Sequence, residues 1–113
     1  MLICRNVSRD TLLADKVRKA DHYFSRLLGL FPKHHLESGE GLWIIPCNEI
    51  HSIGMRFVFD ALFLDKDLKV VHIIEQMRPF RVSPIIKAAK TVLELDGGVV
   101  ARTGTQIGDQ LNF

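Results

Sequence analysis

The eight residues Phe57-Val58-Phe59-Asp60-Ala61-Leu62-Phe63-Leu64 contain a single polar side chain, Asp60. A short run this apolar and this rich in aromatics predicts a central strand buried on both faces. Asp65-Lys66-Asp67 punctuates it and Leu68–Ile74 continues as a second strand, so the pair reads as a hairpin. With Lys66-Asp67 as a two-residue loop, Ala61 faces His72 and Asp60 faces Ile73. An unpaired carboxylate inside such a strand is costly. Something must therefore satisfy Asp60: Arg56, His51, a backbone turn or a bound ligand. Asp60 is then either a structural hydrogen-bond hub or, with His51, the wall of a pocket.

The rest of the chain continues in short segments. Leu2–Cys4 and Leu42–Ile45 read as strands, and Leu12–Ala20 fits either a strand or the start of a helix. Asp21 is placed to cap a helix over His22–Leu28, with Gly29 as its terminator and Pro32 beyond it. Arg78–Pro84 is a loop with a proline near each end, and Lys90–Leu95 is a further strand closed by Gly97-Gly98. Val99–Thr103 predicts a helical turn and Gln110–Phe113 a last strand. Many short strands separated by turn signals, without long helices between them, predict one mainly β domain over residues 1–113. The expected architecture is a β-rich α+β fold: a small antiparallel sandwich or barrel with one or two short helices.

Composition narrows the function classes. The chain is 47% hydrophobic and 25% charged, with a formal net charge of +2. That balance suits a globular core and lacks the concentrated basic footprint of a nucleic-acid binder. No apolar stretch approaches the ~20 residues of a membrane-spanning helix, and no signal-peptide core follows the N-terminal Met-Leu-Ile-Cys-Arg. A cytoplasmic protein is expected, with Cys4 and Cys47 as free thiols.

Cys47, His51 and Met55 recur at intervals of four in Pro46-Cys47-Asn48-Glu49-Ile50-His51-Ser52-Ile53-Gly54-Met55-Arg56. Soft donors of this kind suit Cu(I), but on a strand four residues span roughly 13 Å. The three converge only if the segment coils, so no metal is expected. Nucleophilic catalysis by Cys47 needs a base, a cation or a helix N-terminus to hold its thiolate; His51 is a candidate base, and an N-terminal position after Pro46 would help. There is no P-loop, no G-x-G-x-x-G, no C-x-x-C and no H-E-x-x-H, and no cofactor is expected. Glu94 repeats the question of Asp60, although alternation in Val92-Leu93-Glu94-Leu95 leaves it in solvent. The window Gln76–Leu93 holds Arg78, Arg81, Lys87 and Lys90 and no carboxylate, with Phe80 between the two arginines. Arginine forks beside an aromatic suit a small anion.

Gly29-Leu30, His51 before Gly54-Met55, Phe63-Leu64-Asp65, Val70-Val71, Leu93-Glu94-Leu95 and Ile107-Gly108-Asp109 occur in that order. In this series the chain resembles the prokaryotic domain of unknown function 192, from about Leu12 to its end. The resemblance implies a small β-rich domain, sandwich or jelly-roll-like, whose biochemical function is not established. Ile53-Gly54 stands where many members carry an aromatic residue, and Phe31 where a methionine often follows the Gly-Leu pair.

The expectation is a non-enzymatic module for a small polar or anionic ligand, its site drawn from His51, Arg56, Asp60, Arg78, Phe80 and Arg81. One alternative is a thiol-dependent enzyme using Cys47 with His51. Another is an interaction protein that docks an acidic partner on the Arg78–Pro84 loop. Neither a nucleic acid nor a membrane is an expected partner, and the sequence leaves the oligomeric state open.

Overall fold

The structure, a computed structural model, describes residues 1–21, 36–52 and 57–113. Among them the chain forms strands β1 (Leu2–Asn6), β2 (Thr11–Ala20), β3 (Glu40–Ile44), β4 (Phe59–Leu64), β5 (Val70–Met77) and β6 (Thr91–Asp96), then helix α1 (Val99–Thr103) and strand β7 (Leu111–Asn112). The expected helix over His22–Leu28 lies outside the described residues.

Every residue of β4 is buried, as the apolar run predicts. β2 keeps Leu13, Ala14, Val17 and Ala20 inward and turns Lys16, Arg18 and Lys19 out, which resolves the segment Leu12–Ala20 as a strand. The strands make one sheet in the order β5-β4-β6-β3-β2-β1-β7. All neighbours are antiparallel except β2 and β3, which run parallel. The long connection between those two strands permits the crossover that a parallel pair needs, which hairpin logic alone does not anticipate.

The sheet curls into a half-barrel. Its two edge strands, β5 and β7, meet at one end. There Lys69 bridges Gln110, Val70 N–H donates to the Asp109 carbonyl at 2.9 Å, and Gly108 N–H donates to the Val70 carbonyl at 2.7 Å. Edge closure of this kind removes unpaired backbone that would otherwise recruit other strands. Each face of the sheet carries its own core. The first gathers Leu13, Val17, Leu62, Leu64, Leu93 and Leu95 beneath Val99 and Val100 of α1. The second gathers Leu42, Ile44, Phe59, Ala61, Phe63 and Val92 beneath Cys47 and Ile50.

The β4–β5 hairpin pairs Ala61 with Ile74, Leu62 with Ile73 and Phe63 with His72. This corrects the register expected from a two-residue loop. Leu68 N–H closes a turn on the Asp65 carbonyl, and Leu68 then adopts φ 64°. The Asp65 carboxylate accepts the Asp67 and Lys69 N–H groups at 2.8 and 3.0 Å. A turn followed by a left-handed residue inserts a bulge and moves the pairing along the strand.

Asp60 is fully buried on the α1 face, and both of its oxygens are engaged by backbone. Oδ1 accepts Gln76 N–H at 2.9 Å, and Oδ2 accepts Gly98 N–H at 3.1 Å and Val100 N–H at 2.9 Å. Gln76 (φ 54°) and Gly98 (φ 102°) both hold left-handed backbone, so the carboxylate fixes two bends at once. Asp60→Asn puts an amide donor among those donors, and is expected to destabilise the fold by about 3 kcal/mol in urea unfolding. An unchanged midpoint would show that the three bonds contribute nothing net.

Candidate functional site

Two loops that are far apart in sequence are zipped together beside the second core. Ile86 N–H donates to the Asn48 carbonyl at 2.9 Å, Ser83 N–H to the Ile50 carbonyl at 2.8 Å, and Ser52 N–H to the Arg81 carbonyl at 2.8 Å. His51 bridges Val82 in antiparallel fashion. Two buried serines lock the pairing. Ser52 Oγ donates to the Arg78 carbonyl at 2.5 Å and accepts Arg81 N–H at 2.8 Å. Ser83 Oγ accepts Ile50 N–H at 2.9 Å and donates to the Pro84 carbonyl at 2.9 Å.

The zipper holds the Arg78–Pro84 loop in a defined shape. Phe80 sits at φ 62° with its ring 70% exposed, an uncommon backbone state for a bulky residue. Arg78 and Arg81 are exposed, and the ion pairs among the described residues are Arg5–Asp10 and Arg9–Asp109, so neither loop arginine is paired. A groove of about 340 Å³ runs between the end of β5 and this loop. Ile74 and Met77 supply its apolar wall, Gln76, Arg78, Arg81 and Ser83 its polar one, and Glu75 one acid.

The structure thus brings His51 to the arginine loop. It does not bring Asp60 there, because that carboxylate is occupied by Gln76, Gly98 and Val100 on the α1 face. His51 Nδ1 is buried with no hydrogen-bond partner among the described residues. Arg56 and Met55 lie outside the described residues.

Cys47 and His51 form no hydrogen-bonded pair: the Cys47 thiol donates instead to the Glu49 carbonyl at 3.0 Å. Burial pushes that thiol up to about 11; a backbone hydrogen bond with Glu49 opposes the rise, and the Glu94 and Glu49 charges add to it. Burial alone lifts Cys4 to about 12. A nucleophilic cysteine needs the opposite shift. Cys47 borders a separate cleft of about 370 Å³ with Pro46, Asn48, Glu49, Lys87, Ala89 and Lys90. The Cys47–His51 segment is not helical, so it does not supply the turn on which fourfold spacing stacks side chains.

Glu94 departs from its expected place in solvent. β6 lies between β3 and β4 with both faces covered, and the side chain is only 6% exposed. Burial raises its carboxyl to about 7. Ser52 and Ser83 carried no signal beyond their position beside apolar residues, since their partners lie about thirty residues away.

Residues 5–113 match the family profile described as DUF192, "Uncharacterized ACR". Over 116 residues the chain is 26% identical to a UPF0127 protein of Pyrococcus furiosus, covering 96% of this chain and 95% of that one. A UPF0127 protein of Pyrococcus abyssi is 29% identical over 116 residues, covering 96% and 94%. Two solved structures share the fold. A protein of unknown function from Novosphingobium aromaticivorans superposes with TM-score 0.73 at 23% identity, covering 86% of this chain and 74% of that one. A Sinorhizobium meliloti protein described as a proposed transcription regulator superposes with TM-score 0.75 at 24% identity, covering 97% and 89%.

Two predictions follow from the buried groups. A carboxyl raised from 4.5 to about 7 in the fold favours the folded state while protonated. That contribution is present below about pH 4.5 and is lost as pH rises toward 7, a change on the order of 3 kcal/mol. Urea unfolding between pH 4.5 and 8 should show this loss, and Glu94→Gln should remove it. At pH 7.5 a thiol reagent should label both cysteines at the rate of unfolding; fast labelling of Cys47 in native protein would contradict its burial.

Proposed function

Given that the chain belongs to the DUF192 family, we propose that it is a non-enzymatic module that binds a small anionic ligand in the groove between β5 and the Arg78–Pro84 loop. One observation carries this reading: two arginines without acidic partners among the described residues stand on a loop whose backbone is already ordered by Ser52 and Ser83. Guanidinium groups on a pre-ordered loop lose little freedom on capturing a carboxylate or phosphate, and their fork matches either one. His51, adjoining through Val82, is the nearest further donor supplied by the zipper. Arg56 remains a candidate contact on sequence grounds alone.

The same loop also exposes Phe80, Val82 and Ile85, at 70%, 66% and 61%. Those side chains favour a second reading, in which an acidic chain segment rather than a small anion lies on the loop. Its mark is binding of an acidic peptide that weakens steeply with salt.

Thermal shift with inorganic phosphate, dicarboxylates, nucleotides and sugars tests the first reading. An anion present at about a hundred times its Kd should stabilise by about 2.7 kcal/mol, a rise of several degrees in Tm. The double variant Arg78→Ala, Arg81→Ala should lose that rise while unfolding normally without ligand. No stabilisation by any of these compounds, or an equal rise in the double variant, would refute the proposal.

A further inference from the structure

Among the described residues the outer edge of β5 is covered over only part of its length. The chain before β7 closes the first part: Val70 N–H donates to the Asp109 carbonyl at 2.9 Å, and the Val70 carbonyl accepts Gly108 N–H at 2.7 Å. Hairpin geometry sets which backbone groups lie beyond that cover. Asp65 N–H donates to the Lys69 carbonyl at 3.0 Å, so these two residues are a bonded pair. Bonded and unbonded pairs alternate in an antiparallel ladder, so the next pair, Leu64 with Val70, turns Val70 outward. The irregularity that follows leaves Val71 extra and pairs Phe63 with His72. From there His72 and Ile74 bond to β4, while Ile73 and Glu75 turn their N–H and carbonyl groups out of the sheet. Neither has a backbone partner on that outer side among the described residues. An edge with open groups of this kind is a template for an added strand.

What stands at the end of the edge selects its occupant. The groove of about 340 Å³ starts at Ile74–Met77 and continues along Arg78, Arg81 and Val82. The ion pairs among the described residues are Arg5–Asp10 and Arg9–Asp109, so both groove arginines are without an acidic partner. Phe80 and Val82 are exposed on the same loop. Glu75 is the one acid of the groove.

We propose that β5 is a docking edge for an extended acidic segment of a partner protein, which adds to the sheet at Ile73 and Glu75 and lays its carboxylates on Arg78 and Arg81. The inference rests on the anion groove described above and names a protein carboxylate as its anion. An antiparallel segment fits best, because antiparallel pairing is slightly stronger per residue and both existing neighbours of β4 pair that way. Its first residues then lie at the arginines and its later ones at Ile73. Charge fixes the register. An acid directly opposite Glu75 is repelled, so the carboxylates belong beyond Met77 and an uncharged residue beside Glu75. Main-chain bonds at Ile73 and Glu75 supply affinity without regard to sequence, and the two guanidinium forks select for acid. At ~3.3 Å per residue, about six residues span the edge from Ile73 to Arg78.

The test is an amide NMR titration of the whole chain with a capped six-residue peptide, two aspartates followed by alternating valine and threonine. Saturable shifts are expected at the Ile73 and Glu75 amides, with solvent exchange slowed about tenfold, while the Ile74 amide, already bonded to β4, changes little. A strand offers one edge at a time to its neighbour. N-methylating one alternate set of peptide nitrogens should therefore weaken binding about tenfold, and methylating the other set should not. Arg78→Ala with Arg81→Ala should weaken it about tenfold or more, as should reversing the peptide so that its acids come last. Equal binding by the two methylated peptides would overturn strand addition and leave the groove as an anion site; so would binding of phosphate or a dicarboxylate without binding of the peptide. Failure of phosphate, dicarboxylate and peptide alike would overturn both readings. Dimerisation of the free chain that protects the Ile73 and Glu75 amides would make a second copy the occupant and overturn the proposal.

Discussion

The carboxylate of Asp60 is the contact on which the arrangement of loops depends. It lies inside the most apolar strand and takes three N–H groups from two bends, at Gln76 and at Gly98–Val100. Both bends contain left-handed backbone, which an ordinary strand or helix terminus does not hold unaided. One bend turns the chain out of β5 toward Arg78. The other starts α1, whose Val99 and Val100 close the first core. The desolvation cost of a buried carboxylate is offset here by charge-assisted bonds to groups that would otherwise be unsatisfied themselves.

From that clamp the geometry of the groove follows in order. Once Gln76 is fixed, β5 ends at Met77 in the second core and the chain emerges at Arg78. Ser52 then grips Arg78 and Arg81 through their backbone, leaving both guanidinium groups for solvent or ligand. Backbone capture matters because a loop held by its side chains would have fewer of them left to bind with. At the far side of the half-barrel, Asp109 plays the corresponding part: it ties Asn6 and Arg9 to the turn before β7, where the two sheet edges meet. Hydrogen bonds from Asn6, Arg9 and Gln106 hold its carboxyl below the usual range despite the opposing effect of burial.

Local pattern made much of this fold legible. Phe57–Leu64 announces β4, Asp65-Lys66-Asp67 its turn, Lys90–Leu95 the strand β6 and Val99–Thr103 the helical turn, because each depends on residues adjacent in sequence. The hairpin register escaped, since Leu68 carries no glycine-like signal for the left-handed state it adopts. The parallel β2–β3 contact escaped because it depends on a crossover rather than a turn. At the site, the arginines and Phe80 were readable from their types. Their link to His51 was not, because the zipper is backbone pairing between distant segments and uses no distinctive side chain.

Asp60 and Glu94 show where reading by residue type stops. Each follows and precedes apolar residues in a buried strand, and nothing in either local sequence distinguishes them. The sheet puts them on opposite faces of neighbouring strands. On one face Asp60 meets the amides that begin α1, supplied by residues 38 and 40 positions further on. On the other, Glu94 meets a methyl group and a leucine. A saturated carboxylate has no acceptor capacity to spare at those atoms, so it serves the fold. A carboxyl raised by burial, as Glu94 is, favours the folded state while protonated and costs stability once it ionises. That difference between two similar residues is visible only once their non-local partners are placed.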